Sequence, residues 1–456
     1  MAVAQTLSPE PGLFSRDYLW ITIGSCALVF LGAFESLAVT TIMPVVSADL
    51  DGAGLYALAF AGPLATAVIG MVVAGNWCDR IGPNIPLYTS SVAFVLGLLV
   101  AGTATLMPVL VAGRLLQGLG AGAINVALYV VVARVYPARL HPQIFAGFAA
   151  AWVIPSLIGP FAAGVVTELF SWHWVFLGVI ALVVVAAGMV WPALRGLTGR
   201  EAETEVAPWS LARIAWSIVA AAAVLGLGLL SEADTLGWAL AAVGIVIVLG
   251  AVRPLLPGGT LRARRGLPAV ILVRGLAGAA FLGAEVYLPY LLVERYDFSP
   301  SLAGLALTLG ALAWASASWL QGRLTTQLTH QMSAVIGASL VLVSIVLAGA
   351  TALFDLSPTV AIVGWGIGGG GMGLMYPRLS VMTLALSTKV NQGFNSAALS
   401  ISDSLGAALS LAITGIVFSA LAATGHSFAG VFALAALIAT LAIVVAPRVA
   451  EGSGGK

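Results

Sequence analysis

Fourteen apolar runs, most of them about 20 residues or longer, fill the chain between Tyr18 and Val445. A run of that length crosses the hydrocarbon core of a bilayer, where it satisfies its own backbone groups only as a helix. Charged residues make up 8% of the 456 positions, against about a quarter in a soluble domain, so water is not the main solvent. The chain reads as an all-α, polytopic membrane protein. The first run, Tyr18 to Val46, is too long for a signal-peptide core and has no small-residue cleavage site behind it, so it is expected to be retained.

Breaks at Pro, Gly and charged residues delimit the runs. Six come first: Tyr18 to Val46, Leu55 to Gly75, Ile85 to Thr105, Met107 to Ala133, Ile144 to Thr167 and Trp174 to Leu194. The polar stretch "RGLTGREAETEVAPWS" follows, from Arg195 to Ser210. Two further runs, Leu211 to Leu230 and Leu236 to Leu256, precede the basic loop "RARRG" at Arg262. The last six are Leu267 to Val293, Leu302 to Leu320, Met332 to Thr351, Val360 to Leu386, Phe394 to Ala420 and Phe428 to Val445. The expected domains are therefore an N-terminal six-helix bundle over 1–194, a linker with two inserted helices over 195–266, and a C-terminal six-helix bundle over 267–456.

Threading these spans alternately puts Arg16, Arg80, Arg134, Arg139, Arg195, Arg213, Arg262, Arg323, Lys389 and Arg448 on one side and leaves only Arg295 in a loop on the other. Lys and Arg accumulate in cytoplasmic loops, so both termini are expected in the cytoplasm and the acidic loop "SEADTLGW" at Ser231 outside. The net charge of +1 and the lack of a dense basic tract leave no case for nucleic acid. Cys26 falls inside a span and Cys78 in a short loop, which favours neither a disulfide nor a metal site.

The two halves echo each other, as transporter repeats do. "LGAFE" at Leu31 returns as "LGAE" at Leu282, and "GRLLQGLGAGAINVALY" at Gly113 has a counterpart in "GWGIGGGGMGLMYPRLS" at Gly364, both about 250 residues on. With this 6 + 2 + 6 arrangement the sequence resembles the major facilitator superfamily over nearly its whole length. "GNWCDRIGP" matches that family's signature loop on Gly75, Asp79, Arg80 and Gly82, but Pro83 and Asn84 stand where basic residues are usual. The second-half echo "GRLTTQ" at Gly322 has Thr326 in place of an Asp, which implies an asymmetric latch. "RLLQGLGAG" resembles the fourth-span motif of drug:proton antiporters through Arg114, Gln117, Gly118 and Gly122. "PSLIGPFAAG" resembles their fifth-span motif through Gly159, Pro160 and Gly164, with Pro155 replacing its first Gly. "SWHWVF" at Ser171 is similar to the turn before their sixth span. The resemblance implies a major facilitator fold of two six-helix bundles plus two inserted central helices, in the fourteen-span branch of drug:proton antiporters.

An ionisable group at the centre of a membrane helix costs about 2.5–3.5 kcal/mol on insertion scales, so those that are present need a reason. Glu35, Arg114, Glu285 and Asp403 stand well inside spans, whereas Arg274 and Arg378 lie nearer the cytoplasmic ends, where they are expected to snorkel or meet loops. Helical spacing puts Arg114, Gln117 and Asn125 on one face, and Ser396, Ser400, Asp403 and Ser410 on another, and both faces are expected to line an interior cavity in which Gln117, Asn125, Glu285, Tyr287 and Ser400 would meet substrate. Glu35 and Arg114 should lie at depths differing by roughly 6 Å and could approach. A rearrangement that separates or hydrates them would change the proton affinity of Glu35, which a coupling site requires; a permanent helix-to-helix bridge is the structural counterpart.

Asp403 reads either as a proton-coupling or cargo-binding carboxylate or as a packing hydrogen-bond group, and Glu285 as a cavity residue or a solvated mouth residue beside Tyr287 and Tyr290. Trp152, Trp314 and Trp365 could line a pocket or anchor helices. The interior glycines of the fourth span and its repeat read as packing surfaces. Gly159 and Pro160 offer either a bend or a packing surface, and Asp79 with Arg80, in a loop, reads either as a solvated turn or as a latch whose carboxylate caps or pairs with a neighbouring helix end, holding the cytoplasmic side shut without touching cargo.

These residues point to a proton-coupled secondary transporter that exports small amphipathic or cationic compounds by alternating access. Export of an endogenous lipid or metabolite is the alternative. Four scattered histidines assemble no nucleophile, base or metal cluster, so no enzyme and no cofactor beyond the proton is expected. The expected partners are a small-molecule or lipid-like substrate and the bilayer, with the monomer functional. Ala, Gly and Arg usage with only two Lys fits a bacterium of high genomic GC, and the expected location is its inner membrane.

Overall fold

The computed structural model describes residues 12–52, 55–195, 209–229, 235–298, 300–323 and 328–450. The linker between the halves over 196–208, the acidic loop at Ser231 and the departing Thr326 lie outside them. The helices are α1 (Leu19–Asp49), α2 (Tyr56–Ile81), α3 (Asn84–Gly102), α4 (Met107–Val135), α5 (His141–Leu169), α6 (His173–Arg195), α7 (Leu211–Leu229), α8 (Thr235–Val252), α9 (Leu267–Glu285), α10 (Tyr287–Tyr296), α11 (Pro300–Arg323), α12 (His330–Phe354), α13 (Pro358–Ala385), α14 (Gln392–Ala420) and α15 (Ser427–Val445). Among the described residues, nine spans are long and apolar enough to cross a bilayer outright, one of them α9 and α10 taken together. The bent α5 makes a tenth, and α7 and α8 carry shorter apolar stretches.

Local chemistry sets the ends. Pro108 sits in the first turn of α4, where its missing N–H is no loss. At the other end, Tyr136 is extended because Pro137 follows it. Gly82 stops α2 at φ 82°, a left-handed conformation that a side chain would strain.

The same packing scheme is built twice. In the first half α2 lies on α4, α4 on α3, α3 on α6, α6 on α1 and α1 on α5; in the second, α11 lies on α13, α13 on α12, α12 on α15, α15 on α9 and α9 on α14. The bundles meet along α2–α14 and α5–α11, which are themselves counterparts. Gly118 and Gly122 let the backbone of α4 touch that of α2 at Pro63 and Ala67, and Gly369 and Gly373 do the same for α13 on α11 at Gly310 and Trp314. The glycine runs are thus interhelical contacts. The inserted α7 packs along α2 and carries α8 on its other side.

Two expectations about continuity change. The span starting at Leu267 is interrupted at Val286, between α9 and α10, because Pro289 cannot donate to the Glu285 carbonyl. Asp79 and Arg80 lie in the last turn of α2 and not in a loop, since Gly82 delays the stop. The fifth span bends by 47° between Ser156 and Phe161, across Gly159 and Pro160.

Candidate functional site

The N-terminal bundle buries one ion pair. Glu35 of α1 and Arg114 of α4 are bonded through Oε1 and Nη1, and both side chains are under a tenth exposed. The guanidinium also donates to Gln117 Oε1 at 3.0 Å and, through Nε, to the Ala59 carbonyl of α2 at 3.2 Å. Arg114 therefore ties α1, α2 and α4 together with acceptors of which only the carboxylate can change charge. Among the described residues, Gln117 Nε2 is buried without a partner. Phe34 and Leu37, on either side of Glu35, are the side chains nearest to Gly159 at the bend of α5. The carboxylate and the bend share one region of α1.

A second ion pair lies in the C-terminal bundle, and it corrects the expectation for Arg274. This residue does not snorkel: it is about 10 Å along α9 from its start, too deep to reach a loop. Its guanidinium donates to Asp403 Oδ2 of α14 at 3.2 Å, to the Tyr376 carbonyl at 3.2 Å and to Ser380 Oγ at 3.3 Å, and it stacks 3.6 Å from the Tyr376 ring centroid. Tyr376 donates its hydroxyl to Asp403 Oδ1 at 2.8 Å. Asp403 is therefore already paired with a guanidinium and a phenol hydroxyl, not a free carboxylate. Arg378 is likewise buried, donating to Gln321 Oε1 of α11 at 2.8 Å instead of meeting a loop.

The repeat relates Glu35 to Glu285, but the counterpart of Arg114 is Trp365, fully buried and stacked on Phe281 at 4.5 Å. Glu285 is partly buried and has no hydrogen-bond or ion-pair partner among the described residues, at the helix break and about 10 Å along α9 from the level of Asp403. Tyr287 does not share a cavity with Ser400. Its ring lies tilted against Phe418, centroids 5.3 Å apart and about 27 Å along α14 from Ser400, in a cluster with Tyr290 and Phe428. Trp152 is half-exposed on α5, and Trp314 bridges Phe281 and Tyr376 edge-on.

Between the bundles, the hydrogen bonds among described residues all fall in the half of the molecule nearer the chain ends. Asn125 Nδ2 donates to Ser400 Oγ at 3.2 Å, Tyr129 and Ser380 hydroxyls lie 3.4 Å apart, and Arg134 reaches the Lys389 carbonyl at 3.4 Å. Asp79 makes the strongest link. Its two oxygens accept the Gly393 and Phe394 amides at 2.6 and 2.8 Å, capping the N-terminus of α14, where helical N–H groups have no intrahelical partner. Gly75 makes this possible, since a Cβ there would stand 2.7 Å from the Gly393 carbonyl. The expected cap on a neighbouring helix end is present; its partners are backbone groups, so the sequence pointed to a helix end but not to which one. Gly322 of the second-half echo lies only loosely against Pro142 of α5, and Gly164 faces open space. Among the described residues no group of three metal-ligating side chains assembles.

The family model described as Major Facilitator Superfamily matches residues 25–350. Among curated proteins the chain is similar to the multidrug transporter protein MdtP of Bacillus subtilis (strain 168), 26% identical over 429 residues that cover 90% of this chain and 77% of that protein. It is also similar to the multidrug efflux pump SdrM of Staphylococcus aureus (strain N315), 23% identical over 402 residues covering 86% and 88% of the two chains. Among solved structures, the human organic anion transporter MFSD10 (TETRAN) aligns with a TM-score of 0.67 at 15% identity, over 93% of this chain and 99% of that one. That likeness shows the fold.

Proposed function

The chain belongs to the major facilitator superfamily, and from that premise we propose that it is a proton-coupled exporter of small amphipathic or cationic compounds in a bacterial inner membrane, with both termini cytoplasmic. The observation that carries the reading is the buried Glu35–Arg114 pair. Removing charge from one partner of a buried pair leaves the other uncompensated, at a cost of about 3–5 kcal/mol. Protonation of Glu35 does this reversibly. Arg114 then keeps only Gln117 and the Ala59 carbonyl, and α1 is released from α4 beside the bend of α5. When the proton leaves, the pair re-forms.

The Asp79 cap supplies the other half of the cycle, holding the side that carries the termini shut while the opposite side exchanges ligand. The names of the similar proteins support drugs as cargo. Glu285, without a countercharge among the described residues, favours cations. The concentration of basic loops on the terminal side supports its assignment as cytoplasmic.

The test is transport by the purified protein in liposomes with an imposed pH gradient and a panel of lipophilic cations, neutral drugs and lipids. Gradient-dependent movement of the cations, abolished by an uncoupler, is expected. Flux indifferent to the gradient for every compound would overturn the reading.

A further inference from the structure

The two inserted helices converge on the gate. Trp209, just before α7, lies with its ring 5.4 Å from the guanidinium of Arg80, the residue next to Asp79. One turn on, the Arg213 guanidinium stands 3.9 Å from the centroid of Phe394, whose amide Asp79 caps. Where the insertion leaves again, Leu255 closes the same crevice, which Val72 of α2 and Ala397 of α14 complete. A pair of helices that merely filled space between the bundles would offer apolar side chains to α2 and α14. This one brings a cation to the aromatic ring at the start of α14 and an aromatic ring to the cation at the end of α2.

We propose that the insertion is a clamp on the gate, with Arg213 and Trp209 as its positioning residues. Among the described residues, Arg213 makes no hydrogen bond or ion pair with Glu35 or Arg114. It holds Phe394 where the Gly393 and Phe394 amides point at Asp79, so the closed state is favoured through both the cap and the ring contact. Lost during opening, the contact sets how often the gate leaves its closed state. The inference rests on the transport reading only through alternating access, and not on the coupling ion or the cargo.

Hydrogen–deuterium exchange on the full-length protein in lipid nanodiscs tests it without any transport measurement. The first amides of α14 have no intrahelical acceptor, so protection of Gly393 and Phe394 reports the cap itself. Arg213→Gln should speed exchange of the peptide at the start of α14 by about two- to thirty-fold, the factor corresponding to a cation–π contact between exposed and desolvated settings. Peptides from α1 and from the middle of α7 should not change, and Arg213→Lys should restore part of the protection. Phe394→Leu, which leaves α7 intact, should act like Arg213→Gln, and in the Asp79→Asn background, where the cap is already weakened, Arg213→Gln should accelerate exchange by less than it does in the wild type. Unchanged protection at the start of α14 in both Arg213→Gln and Phe394→Leu would overturn the clamp, as would equal acceleration throughout α7, which would mark Arg213 as a packing residue of the insertion.

Discussion

Replacing Asp79 with Asn isolates the gate from the rest of the transport machinery. The carboxylate accepts two backbone N–H groups at 2.6 and 2.8 Å across the bundle interface. A carboxamide has one acceptor oxygen, and its NH2 would face the second N–H donor to donor. One charged hydrogen bond, worth about 1.5–3 kcal/mol, is lost, and the other falls to a neutral bond of about 0.5–1.5 kcal/mol. The favourable charge at the helix N-terminus, about 0.3–1 kcal/mol, disappears as well. Asp79 is only partly buried, so the low end applies, and the closed state loses about 2 kcal/mol. That is roughly a thirty-fold shift toward opening on the terminal side. Cargo flux in liposomes and equilibrium cargo binding should then separate: flux falls about tenfold or more, while binding stays within about threefold of the wild type. Binding that collapses together with flux in a folded protein, or flux that does not change, would refute the assignment of Asp79 as a gate.

Gly75→Ala should prop the same gate open, because its Cβ would meet the Gly393 carbonyl and, at 2.9 Å, the Ala397 Cβ; alkylation of the native Cys78, buried in that turn, should accelerate at least several-fold. In the second half, Asp403→Asn or Arg274→Gln alone should destabilise the protein by about 2–3 kcal/mol, below the cost of about 3–5 kcal/mol for a fully buried pair because the Asp403 side chain is 22% exposed, and the double variant by less than the sum; thermal unfolding in detergent gives the coupling, and strict additivity would deny it. For sidedness, an impermeant maleimide added to intact cells should label Leu356→Cys and spare Leu261→Cys, both exposed positions on opposite sides of the membrane, and the reverse pattern would invert the topology.

Legibility in the sequence follows the physical scale of each signal. The spans are visible because a bilayer demands long uninterrupted apolar runs, and the 6 + 2 + 6 order because glycine-rich contacts between α4 and α2 recur between α13 and α11. Glu35 and Arg114 stand out because a charge in such a run is costly, and helical rise alone brings their depths together. Arg274 misled for the same reason in reverse. Seven residues from the start of α9 it looks peripheral, and its partners, Asp403 and Tyr376, lie more than 100 residues away on other helices. The Asp79 contact is half legible: the carboxylate after Gly75 pointed to a helix end, but a backbone amide carries no side-chain code that would single out α14. The break at Val286 was readable from Pro289, but an unbroken hydropathy run concealed it.

The central claim is that protonation of Glu35 drives the cycle, and Glu35→Gln tests it most directly. The amide is nearly isosteric and can still accept a hydrogen bond from Arg114, but it cannot release a proton. Two modes are measured on the same purified variant in liposomes: export driven by an imposed pH gradient, and exchange of cargo down its own gradient. Loss of the first with retention of the second is the expected result. Full pH-driven export by Glu35→Gln would contradict the account, leaving the Glu35–Arg114 pair as a fixed bridge between α1 and α4.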